Sequence, residues 1–211
     1  MSLRRIVGSG STRGLGVEIV PALVRASRGN ARAAGVAQGV EFREQDLFAT
    51  DLGRATVVTM YLLPVVNLQL RPRLLALAPG TRIVSHDWDM GDWLPDRTIQ
   101  VDVPDKALGR EKFSRVHLWR VPARVSGRWC AAGTELEISQ RFQRFSATLT
   151  VPGSAAPPSV FDGRIDATML LAEGTGAFTL RLDGERLVAG AAMPGAPVGQ
   201  AFLRSRAARC G

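Results

Sequence analysis

The sequence is poor in cysteine, and it has no apolar stretch long enough to cross a membrane. Cys130 and Cys210 are its only two cysteines, which excludes a framework of several disulfides. A single bridge between them stays open, but we expect two free thiols in a reducing compartment. No apolar run reaches the roughly 18 residues of a membrane span, and no apolar segment of a secretory signal follows the first arginines. We therefore expect a cytoplasmic location and no membrane partner.

Lysine and histidine are also scarce. Of the 27 basic side chains only Lys106 and Lys112 are lysines, and there are 2 histidines. The net charge of +8 divides into +7 for residues 1–129 and +1 for residues 130–211. Because no basic run exceeds two residues and aromatic side chains do not alternate with basic ones, we do not expect a nucleic-acid partner. The histidines and carboxylates have no spacing typical of a dedicated metal site, so we predict no metal.

In the first part of the chain, strand-like and helix-like patterns alternate. Buried strands are predicted over residues 14–19, 55–63 and 82–85, and a half-buried strand over 40–43, where apolar and charged residues alternate. Pro21 suits the first turn of a helix after the first of these strands, and a second helix is predicted after Pro64. The unbroken apolar character of 55–63 is typical of a strand covered on both faces. This order predicts an α/β fold with a mainly parallel sheet.

The second part predicts antiparallel strands. Residues 88–105 have a loop-like composition, and 116–119 and 123–125 are predicted as a closing pair of strands. Further strand patterns follow over 135–142, 145–151, 161–171 and 177–182, with turn signals at Asp162-Gly163 and Asp183-Gly184. We predict a meander of four or five strands. The chain is thus divided into an α/β domain over 1–129 and a β-rich accessory module over 130–211.

Four segments carry a family resemblance, and they occur in the family's order. They are GLGVEI at 14–19, VEFREQDLF at 40–48, VVTMYLLP at 57–64 and GTRIVSH at 80–86. Together they resemble class I S-adenosylmethionine-dependent methyltransferases, in particular a bacterial group similar to the protein-lysine methyltransferases of mitochondria. The resemblance covers about residues 14–129. It implies a Rossmann-like sheet, S-adenosylmethionine as cofactor, and methyl transfer to an amine of a protein or a small molecule.

The resemblance also implies which residues bind the cofactor. Glu18 matches an acid that accepts hydrogen bonds from both ribose hydroxyls. Asp46 matches an acid that reaches the adenine amino group, and the backbone N–H of Leu47 matches a donor to a ring nitrogen. The residues themselves leave a second interpretation open, because Glu18 also suits the N-terminus of the next helix and Asp46 also suits a turn.

On the acceptor side, the resemblance places methyl transfer at the end of the strand that precedes Tyr61. Tyr61, the only tyrosine, would position the acceptor amine, and Pro64 would shape the pocket wall. His86 and Asp87 begin a loop, residues 86–93, whose three carboxylates and two indoles would receive a cationic side chain. A plain surface loop, and a tyrosine with a buried ring, are the alternatives that the sequence leaves open.

The start of the sequence departs from the family, which begins with a strand, an acid, a glycine-rich turn and a helix. Gly8 and Gly10 are the candidates for that turn, but Glu18 follows Gly8 after only 10 positions, whereas comparable turns place their acid about 20 residues on. Either the first strand and helix are deleted, or residues 3–7 are a remnant of that helix and the glycine-rich turn lies upstream. In both cases we expect a sheet truncated at its first strand and helix, and impaired cofactor binding. The alternative function is a non-catalytic binding or scaffold protein built on a degenerate methyltransferase core.

Overall fold

The computed structural model describes residues 13–106, 111–131, 133–174, 177–191, 193, 196–207 and 210. Gly8 and Gly10 lie outside these residues. The chain divides into two compact units, residues 1–52 and 53–211. In the described part of the chain, no helix is both long enough and apolar enough to span a bilayer.

The first unit contains a short parallel sheet and one helix. Its elements are β1 (Gly14–Glu18), α1 (Pro21–Ala33) and β2 (Val40–Glu44). The two strands pair in parallel, with Glu18 opposite Glu44. Pro21 begins α1 as expected, and Val24 and Ala31 are the buried residues of that helix. A Cβ on Gly16 would lie 2.5 Å from the ring of Phe42, so only glycine leaves room for that ring.

The second unit begins with a four-stranded mixed sheet. Its elements are β3 (Val57–Met60), α2 (Pro64–Leu74), β4 (Arg82–His86), β5 (Arg97–Asp102) and β6 (Phe113–Arg120). The strand order is β3-β4-β6-β5, and only the β3–β4 pair is parallel. The expectation of a mainly parallel sheet is thus correct for β1–β2 and β3–β4 alone.

The prediction that 88–105 is a loop was wrong for β5, and the prediction of a strand at 123–125 was also wrong. All six residues of β5 are exposed. The available signal was the alternation of Ile99 and Val101 with polar residues, inside a segment otherwise rich in aspartate, tryptophan and proline. Residues 121–126 instead form an extended connection without strand pairing. Its buried residues Val121, Ala123 and Val125 explain why the segment is apolar although it is not a strand.

Residues 127–205 form a closed antiparallel barrel of eight strands. They are β7 (Gly127–Ala131), β8 (Thr134–Arg141), β9 (Arg144–Thr150), β10 (Ser159–Asp166), β11 (Met169–Ala172), β12 (Thr179–Asp183), β13 (Arg186–Ala189) and β14 (Ala201–Ser205). Each strand pairs with the next, and β14 pairs with β7 to close the barrel. The interior is filled by side chains of alternate residues, among them Trp129, Leu136, Phe145, Phe178, Leu180 and Phe202, as is usual for a barrel of this size.

The meander of four or five strands was therefore an underestimate. The strand pattern at 161–171 contains a hairpin, β10 and β11, whereas the pattern at 177–182 corresponds to β12 alone. The strands β7, β13 and β14 were not predicted. The boundary drawn at 129/130 falls inside β7.

Cys130 and Cys210 form a disulfide, with their Cα atoms 5.6 Å apart, so the expectation of two free thiols was wrong. Cys130 belongs to β7, whose neighbour β14 leads into the chain segment that ends near Cys210. Two hydrogen bonds hold that segment: the Cys210 N–H donates to Glu135 at 3.0 Å, and an Arg128 Nη donates to the Ala207 carbonyl at 3.1 Å. Closure of the barrel is what brings the two sulfurs together.

Candidate active site

Glu18 lies at the carboxyl end of β1, where open α/β sheets bind their ligands. Its Oε1 accepts hydrogen bonds from the backbone N–H groups of Ile19 at 2.8 Å and Val20 at 3.0 Å. These two residues lead directly into α1. The carboxylate therefore has a fixed orientation at the N-terminus of that helix, and Oε1 is the oxygen that holds it there.

Asp46 lies two residues beyond β2, at the same end of the two-stranded sheet. Its Oδ1 accepts a hydrogen bond from the Phe48 N–H at 2.8 Å, which caps a short 3₁₀ turn over Leu47–Ala49. The Thr50 hydroxyl donates to the Asp46 carbonyl at 2.9 Å. The Asp46 side chain is exposed beside Leu47. Each acid thus has one oxygen bonded to nearby backbone and lies at the sheet edge where the resemblance expects an adenosine ligand.

These two acids fit the adenosine half of S-adenosylmethionine in their chemistry. A carboxylate can accept hydrogen bonds at both oxygens. One oxygen can therefore bond to the local backbone and fix the group, while the other accepts a hydrogen bond from a ligand. Ribose hydroxyls and an adenine amino group are donors. The local capping contacts and the cofactor role are therefore compatible in Glu18 and Asp46.

On the acceptor side, Tyr61 and His86 contact each other. Tyr61 follows β3 and His86 ends β4, a neighbouring parallel strand, so the two side chains leave the same edge of the sheet. Their ring centroids are 4.5 Å apart at an interplanar angle of 35°. Tyr61 is 49% exposed, so it does not have the buried ring of the alternative interpretation. Pro64 is the first residue of α2, close behind Tyr61 in the chain, and it is exposed.

Asp87 is held more firmly than its position in a loop would suggest. Its backbone has a φ of +62°, which a residue other than glycine adopts at a cost in free energy and most often at functional sites. Its carboxylate accepts hydrogen bonds from the Lys106 ammonium at 2.7 Å and the Arg115 N–H at 2.8 Å. Burial raises the pKa of Asp87, but these hydrogen bonds and the charges of His86 and Lys106 outweigh it and hold the pKa below its usual range. His86 Nε2 lies 3.6 Å from Asp87 Oδ2.

The rest of the predicted cation-binding loop is largely occupied by intramolecular contacts. Asp92 is paired with Arg71 and Arg141, Asp89 accepts a hydrogen bond from the Gly91 N–H at 3.0 Å, and Trp93 is fully buried. Trp88 remains, 42% exposed. Of the two indoles and three carboxylates, the exposed groups able to meet a cationic side chain are thus Trp88 and Asp89.

Sequence reasoning missed Asn67, which is fully buried in α2. Its Nδ2 lies within 3.1–3.3 Å of Ser85 Oγ and of the carbonyl oxygens of Trp88 and Asp89, so it fixes the turn that carries His86 and Asp87. An asparagine among the leucines and valines of 62–70 was the available signal. Lys106 was missed as well, because nothing in the sequence pairs it with Asp87. No group of three or more metal-ligating side chains occurs within the described residues.

Comparison with known proteins gives three findings. Residues 3–97 match the family model of the ANTKMT methyltransferase domain. Over 91 residues the chain is 38% identical to a protein-lysine N-methyltransferase of Saccharolobus islandicus (strain REY15A), and this match covers 43% of the chain and 56% of that protein. A crystal structure of an RNA methyltransferase from Salinibacter ruber in complex with S-adenosyl-L-homocysteine is 49% identical, with 56% of this chain and 71% of that chain covered and a TM-score of 0.47. The chain thus spans little more than half the length of the curated relative, and the family match ends before the barrel begins.

Proposed function

We propose that this chain transfers a methyl group to an amine, and that the amine is a protein lysine. The match of residues 3–97 to the family model of the ANTKMT methyltransferase domain supports methyl transfer. The cofactor of the family is S-adenosylmethionine. The observation that carries the proposal is that Glu18 and Asp46 lie at one end of the parallel β1–β2 pair. The lysine preference is supported by the Saccharolobus islandicus relative, a protein-lysine N-methyltransferase.

In this proposal the first unit binds the cofactor. Glu18 accepts hydrogen bonds from the ribose hydroxyls, Asp46 accepts one from the adenine amino group, and Leu47 contributes its backbone near the adenine ring. Bound S-adenosylmethionine supplies an electrophilic methyl group. Gly8 and Gly10 stay predictions for the glycine-rich turn.

The second unit presents the acceptor amine. A lysine ammonium must lose a proton before its nitrogen can attack, and we assign that proton to the imidazole of His86. Asp87 Oδ2 lies 3.6 Å from His86 Nε2, beside the group that receives the proton. The Tyr61 hydroxyl orients the amine, since proximity and alignment are the main requirements of a direct displacement. Pro64 begins α2 next to these side chains and forms part of the acceptor wall.

The test begins with calorimetric titration of S-adenosylhomocysteine into the chain and into Glu18→Ala. We expect micromolar binding to the native chain and affinity about tenfold lower or worse in the variant, because a charged acceptor of two hydrogen bonds is lost. Glu41→Ala is the matched control, since Glu41 lies on β2 and pairs with Arg43 instead. Absence of binding to a folded native chain would contradict the proposal and favour the non-catalytic alternative.

The acceptor is tested with tritiated S-adenosylmethionine. A lysine-rich histone mixture is compared with the same mixture acetylated beforehand, and total RNA is tested in parallel. Label in the unmodified histones alone is the expected result. Label in RNA alone would reject the lysine acceptor while keeping methyl transfer.

A further inference from the structure

The hairpin between β8 and β9 contacts helix α2 and the loop that follows β4 in the same unit. Its tip consists of Arg141, Phe142 and Gln143, called here the β8–β9 tip. The ring of Phe142 stacks on that of Trp93, with centroids 6.0 Å apart and an interplanar angle of 19°. The guanidinium of Arg71 lies 5.4 Å from the centre of the same ring. Phe142 therefore fills a slot between the loop that follows β4 and helix α2.

The two residues beside Phe142 bind the same loop through polar contacts. Arg141 pairs with Asp92 at 2.9 Å, and the Gln143 side-chain amide donates to the Leu94 carbonyl at 2.6 Å. Asp92 is shared with Arg71, and the hydrogen bonds from Arg141 and Arg71 hold the pKa of Asp92 below its usual range. All three residues of the tip thus contact the short segment 92–94.

That segment continues the chain from His86 and Asp87. Helix α2 holds the first half of the loop, because Asn67 bonds the carbonyls of Trp88 and Asp89 and Arg71 donates to the Met90 carbonyl at 2.8 Å. The β8–β9 tip holds the second half. The loop between β4 and β5, residues 87–96, is therefore fixed from two sides by elements that are far apart in sequence.

The barrel and the sheet also contact each other away from the tip. Arg120 at the end of β6 pairs with Asp166 of β10 at 3.0 Å, and the Ala123 N–H donates to the Ala167 carbonyl at 2.7 Å. These contacts join the two parts at the connection between them. The tip adds a separate set of contacts, and it does so although Phe142 has a φ of +53°, a conformation in which glycine would be the unstrained choice.

We propose that the β8–β9 tip is a positioning element of the acceptor side, with Phe142 as its central residue. By fixing residues 92–94 it limits the motion of the loop that carries His86 and Asp87. This assigns the barrel a part in catalysis that no motif in its sequence indicates. The catalytic part of the inference rests on the methyl transfer proposed above, whereas the effect on the loop does not.

The experiment measures hydrogen–deuterium exchange of the full chain, read by mass spectrometry on peptides that cover residues 87–96. Phe142→Gly removes the ring and also relieves the strain at that position, so the hairpin keeps its turn. Phe142→Tyr keeps the stacking and is the rescue variant. Glu185→Gly removes an exposed side chain from the tip of the β12–β13 hairpin and is the matched control.

We expect exchange in 87–96 to be about fivefold faster or more in Phe142→Gly, since local opening follows the loss of buried contacts, and unchanged in the other two variants. With labelled acceptor, kcat/KM should fall in Phe142→Gly while S-adenosylhomocysteine affinity stays the same. Unchanged exchange would overturn the proposal, as would faster exchange with undiminished turnover. If Phe142→Gly exchanges faster but the native chain transfers no methyl group, the proposed function is rejected and the effect of the tip on the loop is retained.

Discussion

The ammonium of Lys106 lies 2.7 Å from a carboxylate oxygen of Asp87, and the two side chains are only 18% and 16% exposed. The same ammonium donates to the Phe113 carbonyl at 2.8 Å. One lysine therefore ties the loop after β4 to the start of β6. The pair is largely shielded from water, so its removal should be measurable.

Lys106→Met should lower the free energy of unfolding by about 1–3 kcal/mol at pH 7, because it leaves a largely buried carboxylate with fewer partners. Urea denaturation of the full chain measures this change in the free energy of unfolding. Lys112→Met is the control, since Lys112 makes a longer, exposed bond of 3.3 Å to the Lys106 carbonyl. Equal effects of the two substitutions would contradict the importance of the Asp87 contact.

The contribution of Asp87 to stability should depend on pH. Its pKa is lower in the folded chain than its usual value, which is about 3.9 in an unfolded chain. The unfolded state then binds more protons between the two pKa values, so the stabilisation is complete above pH 4–5 and is lost as the pH falls through the folded pKa. The difference in unfolding free energy between the native chain and Asp87→Asn, followed from pH 7 downwards, should shrink. A difference that stays constant with pH would contradict the predicted role of the Asp87 charge in stability.

Asp96 should show the opposite dependence. Burial, which is the main cause, and the negative charge of Asp166 raise the pKa of Asp96 above its usual range, although the Arg120 N–H donates to it at 2.6 Å. A raised pKa means that the folded state binds more protons. The contribution of Asp96 to the free energy of unfolding therefore falls as the pH rises from its unfolded pKa through its folded pKa. Asp96→Asn keeps an acceptor for Arg120 and should leave stability at pH 7 unchanged or increased. A marked loss in thermal unfolding experiments would contradict this.

The disulfide between Cys130 and Cys210, 80 positions apart in sequence, should stabilise the barrel. Reduction, or the Cys130→Ser/Cys210→Ser double substitution, should cost about 2–4 kcal/mol. Thermal unfolding with and without a phosphine reductant measures this, and the double variant should be insensitive to the reductant. Disulfides are typical of oxidising compartments, so this pairing removes one ground for the cytoplasmic location, which stays a prediction.

Many of the helices and strands were predicted from local sequence patterns. Pro21 and Pro64 each begin a helix, as their missing N–H groups favour, and the strands that end near Glu18, Asp46 and Tyr61 were predicted from their apolar residues. Those signals act over a few neighbouring residues. They were sufficient to indicate which edge of the strands bears the candidate site residues.

What escaped prediction depends on residues that are distant in sequence. The pairing of β14 with β7 joins Leu203 to Cys130, and no local pattern encodes such a register. The strand β5 has only Ile99 and Val101 as apolar residues, and the aspartates, tryptophans and prolines around it indicated a loop instead. At the site, the sequence indicated Asp87 but not Lys106, because an ion pair between a loop aspartate and a distant lysine has no periodicity to reveal it.

The barrel begins on β7 and ends on β14, and these two strands are neighbours. The eight strands are therefore contiguous in sequence, and residues 121–126 connect them to the preceding sheet. A module whose first and last strands are adjacent can be joined to another protein as one block, because the chain enters and leaves it at neighbouring positions. The closed ring also leaves none of the eight strands with an unpaired edge, so the addition brings no new site for strand-to-strand aggregation.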